Sequence, residues 1–466
     1  MGDFHRLPGQ APRQLMGEAG QVALAPAAAG GAYRPWRRGV AWLLFLGPFF
    51  FLSYGAANWW AATQSVAGTI VFDWERQIPF VPWTIVPYWS IDLLYGLSFL
   101  LCRSRREVDT HAWRLVTAQI VCVTCFFLFP LHFSFERPTT DGLFGTMFAV
   151  LAGFDQPFNQ APSLHIALLV VIWARFAAAS RGFWRFATHF WASLIAISVL
   201  TTYQHHFIDV PTGALVGLLC LWWWPDGAPA MLANWRLSRS PRRRWLASAY
   251  LAGALLCVAA ATAGGATLWL LWPAVALLLV SLSYLALGPA GLQKRDGRHS
   301  VASRCLFAPY TAAAWINSRL WTWRRPAPVH VADGVWLGRL PDRRTMYTGG
   351  FAGLLDLTAE LPAPTGSWTS LNRPWLDLLP PSADELAAAA DAIETLRHQG
   401  PVLVCCALGY SRSAAAVAAW LLRTQRAASV DQAIAQVAAC RPQMVLGAAQ
   451  REALQQLLDE RHAAHG

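Results

Sequence analysis

The sequence predicts a multi-span α-helical membrane domain followed by a soluble α/β domain. Three observations lead there. Of the 466 residues 55% are hydrophobic, with 25 Trp and 24 Phe, a balance too apolar for an ordinary soluble chain. Apolar runs of bilayer-crossing length recur at about 39–61, 81–102, 112–134, 163–180, 186–203, 207–225, 245–263 and 267–288. From about 327 onward, short apolar runs at 334–338, 353–357, 374–379 and 401–405 alternate with helical patterns at 383–398, 412–425, 430–439 and 447–460, the signature of an α/β layer.

The chain divides accordingly. Residues 1–38, rich in Ala, Gly, Pro and Arg, read as a disordered cytoplasmic lead-in without a cleavable signal pattern. Residues 39–230 hold the main membrane domain, with a six-helix core. Residues 231–290 add two further spans behind a basic loop. Residues 291–326 read as an interfacial linker, with Trp315, Trp321 and Trp323 set among arginines. Residues 327–466 form the soluble domain.

Charge gives the orientation. The net charge is +11, and Lys294 is the only lysine. Arginines cluster in every second loop: Arg103, Arg105 and Arg106; Arg175, Arg181 and Arg185; Arg242, Arg243 and Arg244. That alternation puts both termini in the cytoplasm, and this use of basic residues argues against a nucleic-acid partner. The arginine-for-lysine bias and high alanine content suit a GC-rich bacterial genome, and the expected location is a bacterial inner membrane. None of the nine cysteines shows zinc-ligand spacing, and no metal or other cofactor is expected. Cys102, Cys122, Cys125, Cys220 and Cys257 sit in or beside apolar runs, as small packed hydrophobes do.

The soluble domain carries "VLVCCALGYSRSAAAV", from Val402 to Val417. Cys406 and Arg412 bracket five residues, Ala407, Leu408, Gly409, Tyr410 and Ser411, between a strand and a helix. Backbone N–H groups of such a loop converge with the positive helix end on one anion. Arg412 can grip two phosphate oxygens, and the same field lowers a thiol pKa. Cys406 is then the nucleophile of a cysteinyl-phosphate route, with Ser413 able to donate to its sulfur. The proposed general acid is Asp377 in "RPWLDLLPP". Asp384 is less suited, because "SADEL" reads as a capping box from Ser382 to Glu385.

"DGVWLGRLPD", "LLDLTAEL", "RPWLDLLPP", "CALGYSRS" and "CRPQMVL" follow the order found in dual-specificity phosphatases of the cysteine-dependent protein tyrosine phosphatase superfamily, which residues 327–460 resemble. The resemblance implies Cys406 as nucleophile, Arg412 as clamp, Ser413 as thiolate helper and Asp377 as acid. The family's histidine before the nucleophile is here Cys405, a neighbouring thiol that offers a route to reversible oxidation.

The membrane half carries a second constellation. "TTYQHHFIDVPTG" places His205 and Asp209 one helical turn apart. The carboxylate can fix the imidazole tautomer and leave the other nitrogen free to attack. His165, in "NQAPSLHIAL", can protonate a leaving group. By the charge pattern His165, His205 and Arg137 share the outer face. His132 and His189 read as packing residues and His206 as a lining residue. Asp92 lies inside a span without an evident role, although ionisable groups there tend to be functional.

"ERP" at Arg137-Pro138, "PSLH" at Pro162–His165 and the His205/Asp209 pair resemble the signatures of the type 2 phosphatidic acid phosphatase superfamily, near its inositol-phosphorylceramide and sphingomyelin synthase branch, over about 80–230. The family's lysine is absent, and so is the serine-arginine of its third signature. The resemblance implies His205 as phosphohistidine nucleophile, Asp209 as its orienter, His165 as general acid, and Arg137 and Ser163 as phosphate ligands. The expected protein is a bifunctional membrane phosphatase without metal. It would act on a membrane phospholipid outside and on a phosphorylated protein or lipid inside. In the alternative, the membrane half passes a head group to an alcohol, as a synthase does.

Overall fold

The structure, a computed structural model, describes residues 35–64, 68–153 and 155–465. Most of the expected lead-in falls outside them. The first half is helical: α1 Trp36–Ala62, α2 Ile85–Ser98, α3 Arg105–Leu128, α4 Gly142–Ala152, α5 Leu164–Ala179, α6 Gly182–Thr201, α7 Asp209–Trp223, α8 Pro241–Ala261 and α9 Leu271–Leu282. Among the described residues six segments are long and apolar enough to cross a membrane: Trp36–Ala62, Pro82–Leu101, Arg105–Leu128, Gly182–Thr201, Pro241–Ala261 and Gly265–Leu292.

Two of the eight predicted spans fall short of that length. α5 has 16 residues and α7 has 15, against the ~20 a bilayer core asks for. Against the expected 163–180 and 207–225, α5 is shorter by one residue at each end and α7 by two, and polar residues stand at their starts. Ser163 caps α5 by accepting from Ile166 N, and α7 begins at Asp209. Helix α4 carries no counterpart in the sequence reading.

Helices α5 and α7 approach closely because α7 presents Gly213 and Gly217 to α5. A Cβ at Gly213 would lie 2.4 Å from Ser163 O, and one at Gly217 would lie 2.7 Å from Ala167 O. Small residues four apart allow this backbone contact. It brings the start of α5 beside the start of α7.

After α9 the chain passes a π-turn, Ser283–Leu287, and a short hairpin, β1 Lys294–Arg295 with β2 Arg298–His299. Then come α10 Val301–Leu306 and α11 Ala308–Thr322. The second half is a five-stranded sheet: β3 Val329–Ala332, β4 Val335–Arg339, β5 Gly353–Thr358, β6 Thr369–Trp375 and β7 Val402–Cys406, in the order β3-β4-β7-β5-β6. All pairs except β3/β4 are parallel. Helices α12 Arg343–Thr348, α13 Ala383–Arg397, α14 Arg412–Arg423, α15 Val430–Cys440 and α16 Ala448–His465 complete it.

The strand expected at 374–379 lies earlier, at Thr369–Trp375. It is an edge strand, which tolerates Pro374, and it ends where Leu378 turns to φ 61°. The predicted capping box is present: Ser382 Oγ accepts from Glu385 N, and Glu385 Oε2 accepts from Ser382 N at 2.8 Å.

The two halves interlock. Lys294 is buried, its ammonium donating to Asp356 Oδ2 at 2.5 Å, Thr358 O at 2.7 Å and Thr358 Oγ1 at 2.8 Å. Three acceptors match its three donors. Ala363 N donates to Gly297 O. Tyr284 packs with Ala359 and Leu376 of the α/β domain in one apolar cluster.

Candidate functional sites

The thiol loop sits at the C-terminal end of the central strand β7. Cys406 Sγ accepts from Gly409 N at 3.2 Å and from Ser413 Oγ at 3.2 Å. Gly409 is at φ 77°, and a Cβ there would meet Gly338 C at 2.4 Å. Only glycine therefore lets the loop turn this close to β4. Cys406, Arg412 and Ser413 are buried at 3%, 2% and 0% exposure. Asp377 Oδ1 lies 3.1 Å from Arg412 Nη2. The structure thus brings Cys406, Arg412, Ser413 and Asp377 together around the loop Ala407–Ser411.

Glu360 is a residue that the sequence reading missed. Arg412 donates to Glu360 Oε1 at 2.6 Å and to Oε2 at 3.0 Å, and also to Trp375 O at 2.8 Å. This paired geometry fixes the guanidinium plane. Burial alone would raise the Glu360 carboxyl, but the charge and hydrogen bonds of Arg412 hold it below its ordinary range. The glutamate lay inside "LLDLTAEL", a motif already singled out, so a buried carboxylate facing the arginine was available to find.

Cys405 lies on the other side of the sheet. Consecutive strand residues point to opposite faces. Cys405 packs with Leu340, Met346 and Phe351, while Cys406 packs with Leu337 and Leu355. Burial pushes the Cys405 thiol well above its usual range. The proposed oxidation route through this neighbour loses its geometry, because a disulfide needs Cβ atoms about 4 Å apart and facing.

In the membrane half, His205 Nδ1 lies 3.1 Å from Asp209 Oδ2, and His205 Nε2 lies 3.0 Å from Ser163 Oγ. The carboxylate accepts from Nδ1–H and also from His206 N at 3.0 Å. That leaves the Nε2 lone pair toward Ser163. His165 stacks on Tyr88 with ring centroids 4.2 Å apart. Arg137 donates to Thr202 O at 3.2 Å and lies over the Phe148 ring, beside this cluster. His206 pairs instead with Glu75 at 3.2 Å, holding the loop before α2. His189 accepts from Trp173 Nε1, as a packing residue would.

His165 and His205 line a cavity of about 440 Å³ with Tyr54, Tyr88, Asp92 and Asp155. Asp155 accepts from Tyr54 Oη at 2.6 Å and from Tyr88 Oη at 3.3 Å. Asp155, Tyr54 and Tyr88 were not foreseen, because they come from separate segments with no shared spacing. Asn159 and Tyr95 also line it, and the rest of the wall is apolar, with Leu46, Phe50, Leu151 and Leu168 among its residues.

The chain is a phosphoric monoester hydrolase by its two domain matches. Residues 355–460 match the family described as dual specificity phosphatase, catalytic domain, and residues 111–231 match the PAP2 superfamily. The chain joins a membrane domain of the PAP2 superfamily to a dual-specificity phosphatase domain. No curated protein matches it significantly. Among solved structures, human DUSP28 is 25% identical, covering 29% of this chain and 99% of its own, with a TM-score of 0.27. A mouse putative dual specificity phosphatase is 26% identical, covering 30% and 91%, with a TM-score of 0.28. Tk-PTP is 27% identical, covering 29% and 98%, with a TM-score of 0.27.

Proposed function

We propose that the protein hydrolyses phosphomonoesters at two separate sites on the two faces of a bacterial inner membrane, with both termini in the cytoplasm. The alternating arginine loops support that orientation. The C-terminal site works through cysteinyl phosphate. Cys406 Sγ, as thiolate, attacks phosphorus while the P–O ester bond breaks, and Asp377 gives its proton to the departing oxygen. Water then attacks phosphorus, Asp377 takes its proton, and the P–S bond breaks to release phosphate and the thiolate. Arg412 and the N–H groups of Ala407–Ser411 hold the phosphoryl oxygens, and Ser413 donates to the leaving sulfur.

At the membrane site His205 Nε2 attacks the phosphate of a phospholipid while the P–O ester bond breaks, with Asp209 holding the tautomer and His165 giving a proton to the leaving oxygen. Water, deprotonated by His165, then attacks phosphorus, the N–P bond breaks, and phosphate and free His205 are released. Ser163 and Arg137 face the phosphate. The observation that carries this reading is the Ser163–His205–Asp209 chain, whose His205 lines a largely apolar cavity. Such a cavity suits an acyl chain.

The test uses two single variants of the full chain in membranes. Cys406→Ser should abolish aryl-phosphate hydrolysis from the cytoplasmic side and spare phospholipid turnover at the other site. His205→Ala should do the reverse. Full activity in either variant, at the site it disables, rejects that site's assignment. Release of free phosphate, without a new head-grouped lipid when alcohols are added, identifies hydrolysis.

A further inference from the structure

The thiol site lies against the part of the chain that emerges from the bilayer. Ser318 of α11 donates to Ala407 O at 2.5 Å, so the first residue of the phosphate loop is clipped to that helix. The rest of α11 carries exposed apolar side chains: Ile316, 51% exposed, and Leu320, 66%, point away from Ser318, while Trp315, 51%, and Trp321, 70%, flank it one turn before and after. Helix α11 also packs on α9, the last span. Its outward face therefore continues the lipid-facing surface, as an interfacial helix does.

The rim of the cradle is apolar on three sides. Leu378, next to Asp377, is held outward at φ 61° and 51% exposed. Val445 is 65% exposed, and its N–H donates to Tyr410 O. Trp321 accepts from Tyr410 Oη through its carbonyl. A domain reading a charged peptide has no use for an exposed leucine, valine and tryptophan around its phosphate loop.

Positive charge gathers at the same place. The Arg441 guanidinium lies 5.1 Å from the Tyr410 ring centre. Arg339 donates to Thr322 Oγ1 of α11, and Arg319 of α11 donates to Leu340 O. Arg324 and Arg325 follow directly. The phosphate loop itself has no lysine or arginine, but the fold surrounds it with these cations. The exposed ones, Arg324 and Arg325, are suited to an anionic leaflet, whereas Arg441 is buried beneath the loop.

We propose that the thiol site takes its substrate from the adjoining leaflet: the phosphomonoester head group of a membrane lipid, with its first acyl methylenes lying along Leu378, Val445 and Trp321. This rests on the cysteinyl-phosphate reading of Cys406. The lipid alcohol oxygen is the leaving group that Asp377 protonates.

The test uses the full chain in phosphatidylcholine nanodiscs, in a His205→Ala background that silences the membrane site. Long-chain phosphatidic acid in the disc is compared with a soluble aryl phosphate and a soluble phosphotyrosine peptide. The expected result is turnover of the lipid, with Leu378→Ser and Val445→Ser each lowering kcat/KM for it on the order of tenfold more than for the aryl phosphate, the discrimination that one apolar contact supplies. Equal losses on both substrates, or a preference for the peptide, overturn the proposal. Lipid turnover that persists when Cys406→Ser is added rejects the underlying thiol assignment instead.

Discussion

Tyr284, in the last membrane-spanning segment, donates its phenolic hydrogen to the carbonyl oxygen of Asp377 across 2.9 Å. The loop that carries the proposed acid is thus held by a residue of the other half. Leu376 packs in the same cluster as Tyr284, and Leu379 leans on it.

The hydrogen bond predicts a leaving-group effect. General acids contribute about 10²- to 10⁴-fold, most where the leaving group is poor. Asp377→Asn should cost roughly that range on phenyl phosphate and much less on an activated aryl phosphate. Tyr284→Phe keeps the packing and loses the hydrogen bond. It should show the same pattern at a smaller size, roughly three- to tenfold in kcat, against the range that full loss of the acid gives. Equal losses on both esters would mean that Tyr284 only supports the fold.

Glu360→Gln tests the clamp. It replaces the buried carboxylate beside Arg412 with a neutral amide and leaves only the partly exposed Asp377 as an anionic partner; breaking a buried pair costs about 3–5 kcal/mol. KM for the aryl phosphate should rise and the melting temperature should fall. The pH sense follows from the depressed carboxyl. Its stabilising contribution is complete above the unfolded value of about 4.3 and is lost as pH falls through the lower folded value. Acid titration of the native protein followed by circular dichroism should show this limb, and the Gln variant should lack it.

Cys405→Ala should leave peroxide inactivation of the thiol site unchanged. Its side chain lies across the sheet from Cys406, so no disulfide joins the pair. Mass spectrometry of the peroxide-treated protein should find Cys406 oxidised without a link to Cys405. Slower inactivation in the variant, or such a link, contradicts the placement.

Gly217→Ala tests how the histidine site is assembled. The added Cβ would sit 2.7 Å from Ala167 O, which is backbone and cannot swing aside. Helices α5 and α7 must then separate, carrying Ser163 away from His205. Phospholipid turnover, measured in a Cys406→Ser background so that the thiol site does not contribute, should fall at least tenfold, about the loss that a small misplacement of reacting groups brings. With Cys406 intact, aryl-phosphate hydrolysis at that site should persist.

Much of this was legible in the residues. The Cys406–Arg412 spacing, the capping box and the His205/Asp209 turn are local, and short spacings report local geometry directly. What escaped was assembled at a distance. Glu360 meets Arg412 across two strands, Tyr284 meets Asp377 across 93 positions, and Asp155 meets two tyrosines from different helices. The span count was blurred for a related reason. Hydropathy continues through Ser163 and Phe207, whereas helix ends are set by the polar groups that cap them. The Gly213/Gly217 pair was readable in "GALVG" and would have placed α5 on α7.

The burial of Lys294 has a practical consequence. The chain contains one lysine, at the join between its halves, with the ammonium sealed against Asp356 and Thr358. A lysine-specific protease therefore has a single bond to cut, and it should reach that bond only when the α/β domain lifts away from the membrane helices. Amine-reactive labels face the same barrier, with the chain's α-amino group as their one other target. The protein carries its own reporter of domain separation, readable on a gel as one intact band or two fragments.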